Sequence, residues 1–367
     1  MFPKETKIYV EGDSVDVSNL AENSAVASGS GWGQISEGLV ERVESQEDKA
    51  CVLFKITTTG GHTISCTPDH CFYARIDPSV KCYSVYLQER SSLGFRLGVS
   101  FDLIGELTQP SSHSAKFDKK ALGEVTDRIW IIENTGSLAE ANFIQKFSVY
   151  RYGIPDIPFQ AKKTDLIDIG NDFTKMIFEN IDTPSKAKAL LDDSFMFLDS
   201  PHVTMRFSDS NAPVSSSIQF TIFGGPERPD GRGFSNLIQI SGAKDQNLKG
   251  EGEGEKTVRR RKSIHGNWQL EITRDDLDEA ELFVKTLSHL DNLEVVKKIQ
   301  ISKNHSYYVL PVSHVKRGMS VPIVNNKGKI EEDSVCGIEI EDYEGPLYLP
   351  RISDYRNLIA NGFFVGA

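Results

Sequence analysis

The chain has 367 residues, 39% of them hydrophobic and 25% charged, which supplies enough apolar side chains for two or three packed domains. Its formal net charge of −11 excludes a protein that coats nucleic acid over its whole surface and confines any DNA contact to a local basic patch. No apolar run reaches the ~18–20 residues of a membrane span, "MFPKETKIYVEGDSV" lacks the apolar core of a signal peptide, and five cysteines without framework spacing point to free thiols in a reducing, cytoplasmic setting.

Residues 33–75 alternate in short β-rich runs punctuated by glycine, and Gly60-Gly61 joins "VLFKITTT" to "HTISCT" as a hairpin. After Pro110 the pattern changes. "SLAEANFIQKFSVYRYGIP" (137–155) spaces Ala141, Ile144, Phe147 and Val149 for a helix that Gly153 and Pro155 stop. "TPSKAKALLDD" predicts a second helix with Thr183 as N-cap and Pro184 at its first position. Strands return in "SIQFTIFGG" and "FSNLIQISG". "KDQNLKGEGEGEKTVRRRK" (244–262) is nearly free of apolar residues and reads as a mobile loop. "GNWQLEIT" reads as a strand, and "TRDDLDEAELFVKTLSHL" as a helix capped by Thr273 with Asp276 three residues on. Leu277, Ala280, Phe283, Val284, Leu287 and Leu290 form its apolar face. From "YYVLPVSHVKRGMSVPIV" onward the β pattern resumes, and the final "RNLIANGFFVGA" is apolar where chain ends are normally polar and frayed. The order suggests one β domain opened to admit other material.

"YVEGDSVDV" (9–17), "GHTISCTPDHCFYARI" (61–76) and "GPLYLPRISDYRNLIANGFFVGA" (345–367) together resemble the Hint fold of inteins. That family opens on Cys-x-x-Gly-Asp-Ser/Thr, carries a Thr-x-x-His pair after a hairpin, and closes on a motif like "NFIANGIIVHN". The resemblance implies an α+β chain. Its all-β horseshoe Hint domain is formed by both ends, 1–78 plus 307–367, and interrupted by α/β insertions at 79–200 and 201–306, with a mobile loop at 244–263. It further implies autocatalytic protein splicing of flanking host segments (exteins), with no cofactor, no metal, no membrane and a monomeric chain.

Under the resemblance, Tyr9 stands at the first nucleophile, Thr67 and His70 polarise and protonate the upstream amide, Asn361 belongs to the closing motif, and Ala367 is the last residue. Splicing needs both scissile bonds in one water-poor site, so the last strand must lie beside the first. The reacting groups depart from the pattern. A phenol oxygen at Tyr9 cannot close the five-membered ring that nucleophilic attack requires, and Ala367 has no carboxamide. Gly366 replaces the penultimate His, Arg356 stands where a His often precedes the Asn, and Leu349 replaces a common Asp. The sequence as written is expected not to splice. Cys336 has two readings, a displaced nucleophile or a small buried strand residue. His62, Cys66, His70 and Cys71 do not form a metal set, because strand alternation divides them between faces.

"CYSVYLQERSSLGFRLGVSFDLIGEL" and "RIWIIENTGSLAEANFIQKFSVYRYGIP" resemble a degenerate GIY-YIG nuclease core. Tyr86 matches its first tyrosine, Arg96 replaces the second, Glu106 falls where an Arg is expected, and Gln145 takes the place of the metal-binding Glu. An amide does not hold a divalent cation as a carboxylate does, so cleavage is not expected. Arg259, Arg260 and Arg261 in "VRRRK" either grip phosphates or balance the acidic "EGEGE" beside them. The whole is similar to inteins of bacterial and phage DNA helicases. Two further readings remain: an intein-derived DNA-binding or homing-endonuclease-like protein, and a domesticated interaction module.

Overall fold

A computed structural model describes residues 1–10, 13–47, 50–103, 126–159, 170–204, 217–242, 258–262, 268–291, 293–325 and 327–367. The chain is mostly β with four helices among those residues, an α+β architecture. It divides into two compact units. One gathers Met1–Arg75, Ser208–Val312 and Ser320–Ala367, and the other Ile76–Phe207 with Ser313–Met319.

In the first unit, the described strands link into one curled mixed sheet. The curl comes from two long strands that change partners along their length. Gln34–Gln46 pairs first with Ala25–Gly31 and then with Leu347–Ile352, while Ile330–Tyr343 pairs first with Met319–Val324 and then with Cys51–Thr58. Gly60-Gly61 turns the expected hairpin: Cys51–Thr58 pairs with Thr63–Cys66, and Gly61 takes a φ of +85°. Phe54, Ile56 and Thr58 point inward with Lys55 and Thr57 between them, the period-two alternation of a half-buried strand.

Residues 217–299 do not form a layer of their own. Ser217–Ile222 runs parallel to Glu294–Ile299, which pairs with Tyr307–Pro311, and that strand pairs with Cys71–Ile76. Of the expected 201–306 insertion, the described strands from Ser217 to Ile299 therefore continue the sheet of the chain ends, while Val203–Thr204 belongs to the second unit. The helix Leu277–Asp291 covers one face, where Leu277, Ala280 and Val284 pack on Ile218, Phe220, Ile238 and Ile272. Asp276, not Thr273, caps this helix: its carboxylate accepts the Glu279 N–H at 2.8 Å, while Thr273 lies in the strand Trp268–Arg274. The "VRRRK" run is a strand rather than a loop, because Val258–Lys262 finds ladder partners in Trp268–Arg274. Residues 244–257 and 263 of that expected loop lie outside the described residues, as does Glu106.

The second unit is built on a four-stranded sheet. Tyr83–Arg90 and Gly94–Phe101 form its hairpin, Arg128–Thr135 pairs on the other side, and Val203–Thr204 completes the edge. The helix Leu138–Tyr152 starts at Ser137 and ends at Gly153, whose φ is +70°. Ala141 is buried, but Phe147 is exposed and stacks on Phe143 instead of entering the core. Asp182, not Thr183, caps the helix Thr183–Asp193. Its side chain accepts the Ser185 N–H, which leaves the Thr183 hydroxyl free to accept the Phe95 N–H at 3.0 Å.

Candidate functional site

The turn after the hairpin holds the Thr67-x-x-His70 pair. The His70 N–H closes on the Thr67 carbonyl at 2.9 Å, which brings both side chains to one side. Residue 1 lies in that cup. Its nitrogen donates to Thr67 Oγ1 at 2.7 Å and lies 3.2 Å from His70 Nδ1, while the Thr67 N–H donates to the Met1 carbonyl at 3.0 Å. Phe2 anchors the arrangement: it is fully buried, pairs with Tyr348, and sets its ring edge-on to the His70 imidazole at 4.2 Å.

Burial drives the His70 pKa well below its usual value, and the N-terminal charge and the Arg351 guanidinium push in the same direction. The ring is therefore neutral, with Nδ1 free to accept from the Met1 nitrogen. Its Nε2 is buried and has no hydrogen-bond partner among the described residues. Burial also lowers the pKa of the Met1 ammonium, and it raises that of the neighbouring Cys66 thiol to about 12. A peptide nitrogen that leaves its carbonyl must take up a proton, and the Thr67 hydroxyl and His70 imidazole are the groups within reach of this one.

The structure thus places Met1, and not Tyr9, against Thr67 and His70. Tyr9 sits in the strand Lys7–Val10 opposite Ser14, with its ring packed against the core. The expectation at Tyr9 rested on matching "EGDS" to the Gly-Asp-Ser of the resemblance, whereas Asp13 and Ser14 lie in the strand Asp13–Asp16, paired with Lys7–Val10.

The other chain end arrives at the same turn. Asn361 and Gly362, with φ of +48° and +86°, form a two-residue hairpin turn between Asn357–Ala360 and Phe363–Gly366. Asn361 is a turn residue: its Oδ1 accepts the Lys7 N–H at 2.8 Å and its Nδ2 donates to the Thr63 carbonyl at 3.1 Å. Phe363, Phe364 and Val365 are fully buried, and Val365 pairs with Phe72. Gly366 then lies on Cys71, where an added Cβ would come within 2.5 Å of the Cys71 Cβ. The Gly366 N–H and the Tyr73 hydroxyl both donate to the Cys71 sulfur, yet burial dominates and raises that thiol to about 11. The Ala367 N–H donates to the Arg356 carbonyl at 3.1 Å. Met1 and Gly366 therefore touch opposite ends of the five-residue segment Thr67–Cys71.

Arg356 itself has a φ of +47° and reaches Asp278 and Glu281. Leu349 pairs with Glu44, whose carboxylate is held down to about 2 by hydrogen bonds from Arg351 and then Arg42. Cys336 is exposed, correcting the expectation of a buried residue. It sits at the irregularity between Val335 and Gly337 and donates its thiol to the Thr57 carbonyl at 3.5 Å.

In the second unit, the nuclease-like residues are tied into the hairpin. Tyr86 is buried opposite Gly98, where a Cβ would strike its ring at 2.4 Å. Arg96 Nε donates to Gln88 at 3.0 Å, and Gln145 donates to the Leu97 carbonyl at 3.3 Å. Arg259, Arg260 and Arg261 lie in the first unit, on the strand Val258–Lys262, in register with Glu271, Leu270 and Gln269. Among the described residues, no group of three or more His, Cys, Asp or Glu side chains is placed to hold a metal ion.

Two features escaped the sequence reading. Asn357 is fully buried: its Oδ1 accepts the Gly29 N–H at 2.7 Å, and its Nδ2 donates to the carbonyls of Gly29 and Tyr355, each at 2.9 Å. It stands four residues before Asn361 in the closing motif, the only signal that could have marked it. His202 and His314 form a buried pair in the second unit: His202 Nε2 donates to the His314 carbonyl at 2.6 Å, and the Phe197 N–H donates to His314 Nε2 at 2.7 Å. No spacing rule joins residues so far apart in sequence.

Compared with models of known protein families, the sequence matches none, and no curated protein matches it.

Proposed function

We propose that the chain is a self-processing domain of the protein-splicing type, with its upstream junction at residue 1 and its downstream junction at residue 367, and with the nucleophiles of both steps absent. The observation that carries this reading is the Met1 nitrogen seated between Thr67 Oγ1 and His70 Nδ1. In an upstream acyl shift, a nucleophile on the β-carbon of residue 1 attacks the preceding carbonyl and the residue-1 nitrogen departs. His70 Nδ1, unprotonated at rest, takes the proton from the attacking nucleophile and returns it to the departing nitrogen, and Thr67 orients that nitrogen, in a pocket that Phe2 keeps dry.

Met1 carries a thioether two carbons out, with no thiol or hydroxyl on its β-carbon, so the first step has no nucleophile. Ala367 has no side-chain amide to attack its own carbonyl, so release of a downstream segment has none either. The buried closing strand supports the downstream half of the reading, because it delivers residue 366 to the residue that follows His70. The partners in this reading are the flanking host segments, of a DNA helicase or related enzyme by resemblance.

The test places the chain with Met1→Cys and Ala367→Asn together between two reporter proteins, the downstream one beginning with a cysteine whose thiol can accept the upstream acyl group. Ligated or released reporters are expected, and Thr67→Ala or His70→Ala in the same background abolishes upstream release. A folded double variant that releases neither reporter overturns the reading.

A further inference from the structure

Arg356 holds a left-handed backbone conformation, φ +47°, that residues with side chains seldom adopt and that persists only where surroundings enforce it. Its carbonyl accepts the N–H of residue 367 at 3.1 Å, so this conformation sets where the downstream junction lies. The restraint comes from the inserted part of the sheet. Glu281 Oε2 accepts from the Arg356 guanidinium at 2.8 Å, Asp278 takes its other nitrogen, and Glu281 Oε1 binds Lys297 Nζ at 2.5 Å. Asp278 and Glu281 lie three apart on the helix Leu277–Asp291, which puts both carboxylates on one face.

We propose that Asp278 and Glu281 are positioning residues for the downstream junction, clamping Arg356 so that its carbonyl stays aimed at the N–H of residue 367. The inference rests on the splicing-type reading for its functional meaning, though the clamp can be tested without any chemistry. It makes the helix Leu277–Asp291 part of the site rather than a passenger in the fold, and it places an arginine gripped by carboxylates where the family of the resemblance often has a histidine.

The side chains are partly solvated, with exposures of 41% for Arg356, 75% for Asp278 and 31% for Glu281, so each ion pair is modest and only their combination is decisive. The experiment follows amide hydrogen exchange by NMR in the chain labelled with heavy nitrogen at alanine, which reports Ala367 and, as internal control, Ala360 in the adjoining strand. Asp278→Asn with Glu281→Gln is expected to speed exchange at Ala367 about three- to tenfold and leave Ala360 unchanged. Adding Arg356→Gly restores slow exchange, because glycine takes a positive φ without a clamp. Unchanged exchange at Ala367, equal acceleration at Ala360, or no rescue by Arg356→Gly would each overturn the proposal. In the Met1→Cys, Ala367→Asn background, the clamp variant also slows downstream release while sparing upstream release. An intact clamp in a parent that releases nothing counts against the splicing reading alone.

Discussion

Gly366 has no room for a side chain because Cys71 occupies the space: a Cβ there would lie 2.5 Å from the Cys71 Cβ and 2.6 Å from its sulfur. Gly366→Ala is expected to destabilise the fold by ~1–3 kcal/mol, the range for overpacking a filled core, measured by urea denaturation. Cys71→Ala removes the sulfur but leaves the obstructing Cβ and gives partial relief, whereas Cys71→Gly removes both. The Gly366→Ala, Cys71→Gly double variant should therefore be more stable than the two single effects predict, and strict additivity would contradict the steric account. A histidine introduced at position 366 meets the same obstruction from Cys71.

Asn357 satisfies both backbone groups of Gly29 from a site without solvent access. Asn357→Ala strands that N–H and carbonyl, and it should lower stability by ~2–6 kcal/mol, since each buried unsatisfied group costs about 1–3 kcal/mol. A urea midpoint close to that of the unaltered chain would show that these bonds are replaced from elsewhere.

The buried His202–His314 pair makes the second unit sensitive to acid. Burial lowers His202 from 6.5 to about 3 and His314 to about 2. Both folded values lie below the unfolded one, so below pH ~6.5 the unfolded state binds more protons and stability falls as pH falls. The two sites together give a slope of up to about 2.7 kcal/mol per pH unit. Thermal midpoints between pH ~7 and ~5 should show that decline, and His202→Gln with His314→Gln should flatten it. An equally steep decline in the double variant would assign the sensitivity to other groups.

How much of this could be read from sequence follows from which signals are local. The Gly60-Gly61 hairpin, the Gly153 helix stop and the buried closing strand are written in adjacent residues, and the structure has all three. Helix starts were displaced because two hydroxyl residues competed with nearby aspartates, and at Asp182 and Asp276 the carboxylate accepts the capping N–H. The "VRRRK" run gave no apolar signal, yet its backbone pairs with Trp268–Arg274, a contact that composition does not encode. Thr67 and His70 are singled out by their spacing, while Met1, which lies against both, carries no signal in sequence because the contact is made by a main-chain nitrogen that any residue type presents. The Arg356 clamp joins residues 75 apart in sequence, beyond any periodicity.

The central claim is that Thr67 and His70 form a working upstream junction that lacks only its nucleophile. The direct measurement fuses a reporter ahead of residue 1, introduces Met1→Cys, adds a small thiol, and follows the released reporter by mass spectrometry. The account predicts a reporter bearing the thiol as a C-terminal thioester, with release lost on His70→Ala. A folded Met1→Cys protein whose reporter stays attached, or release that persists without His70, would contradict it.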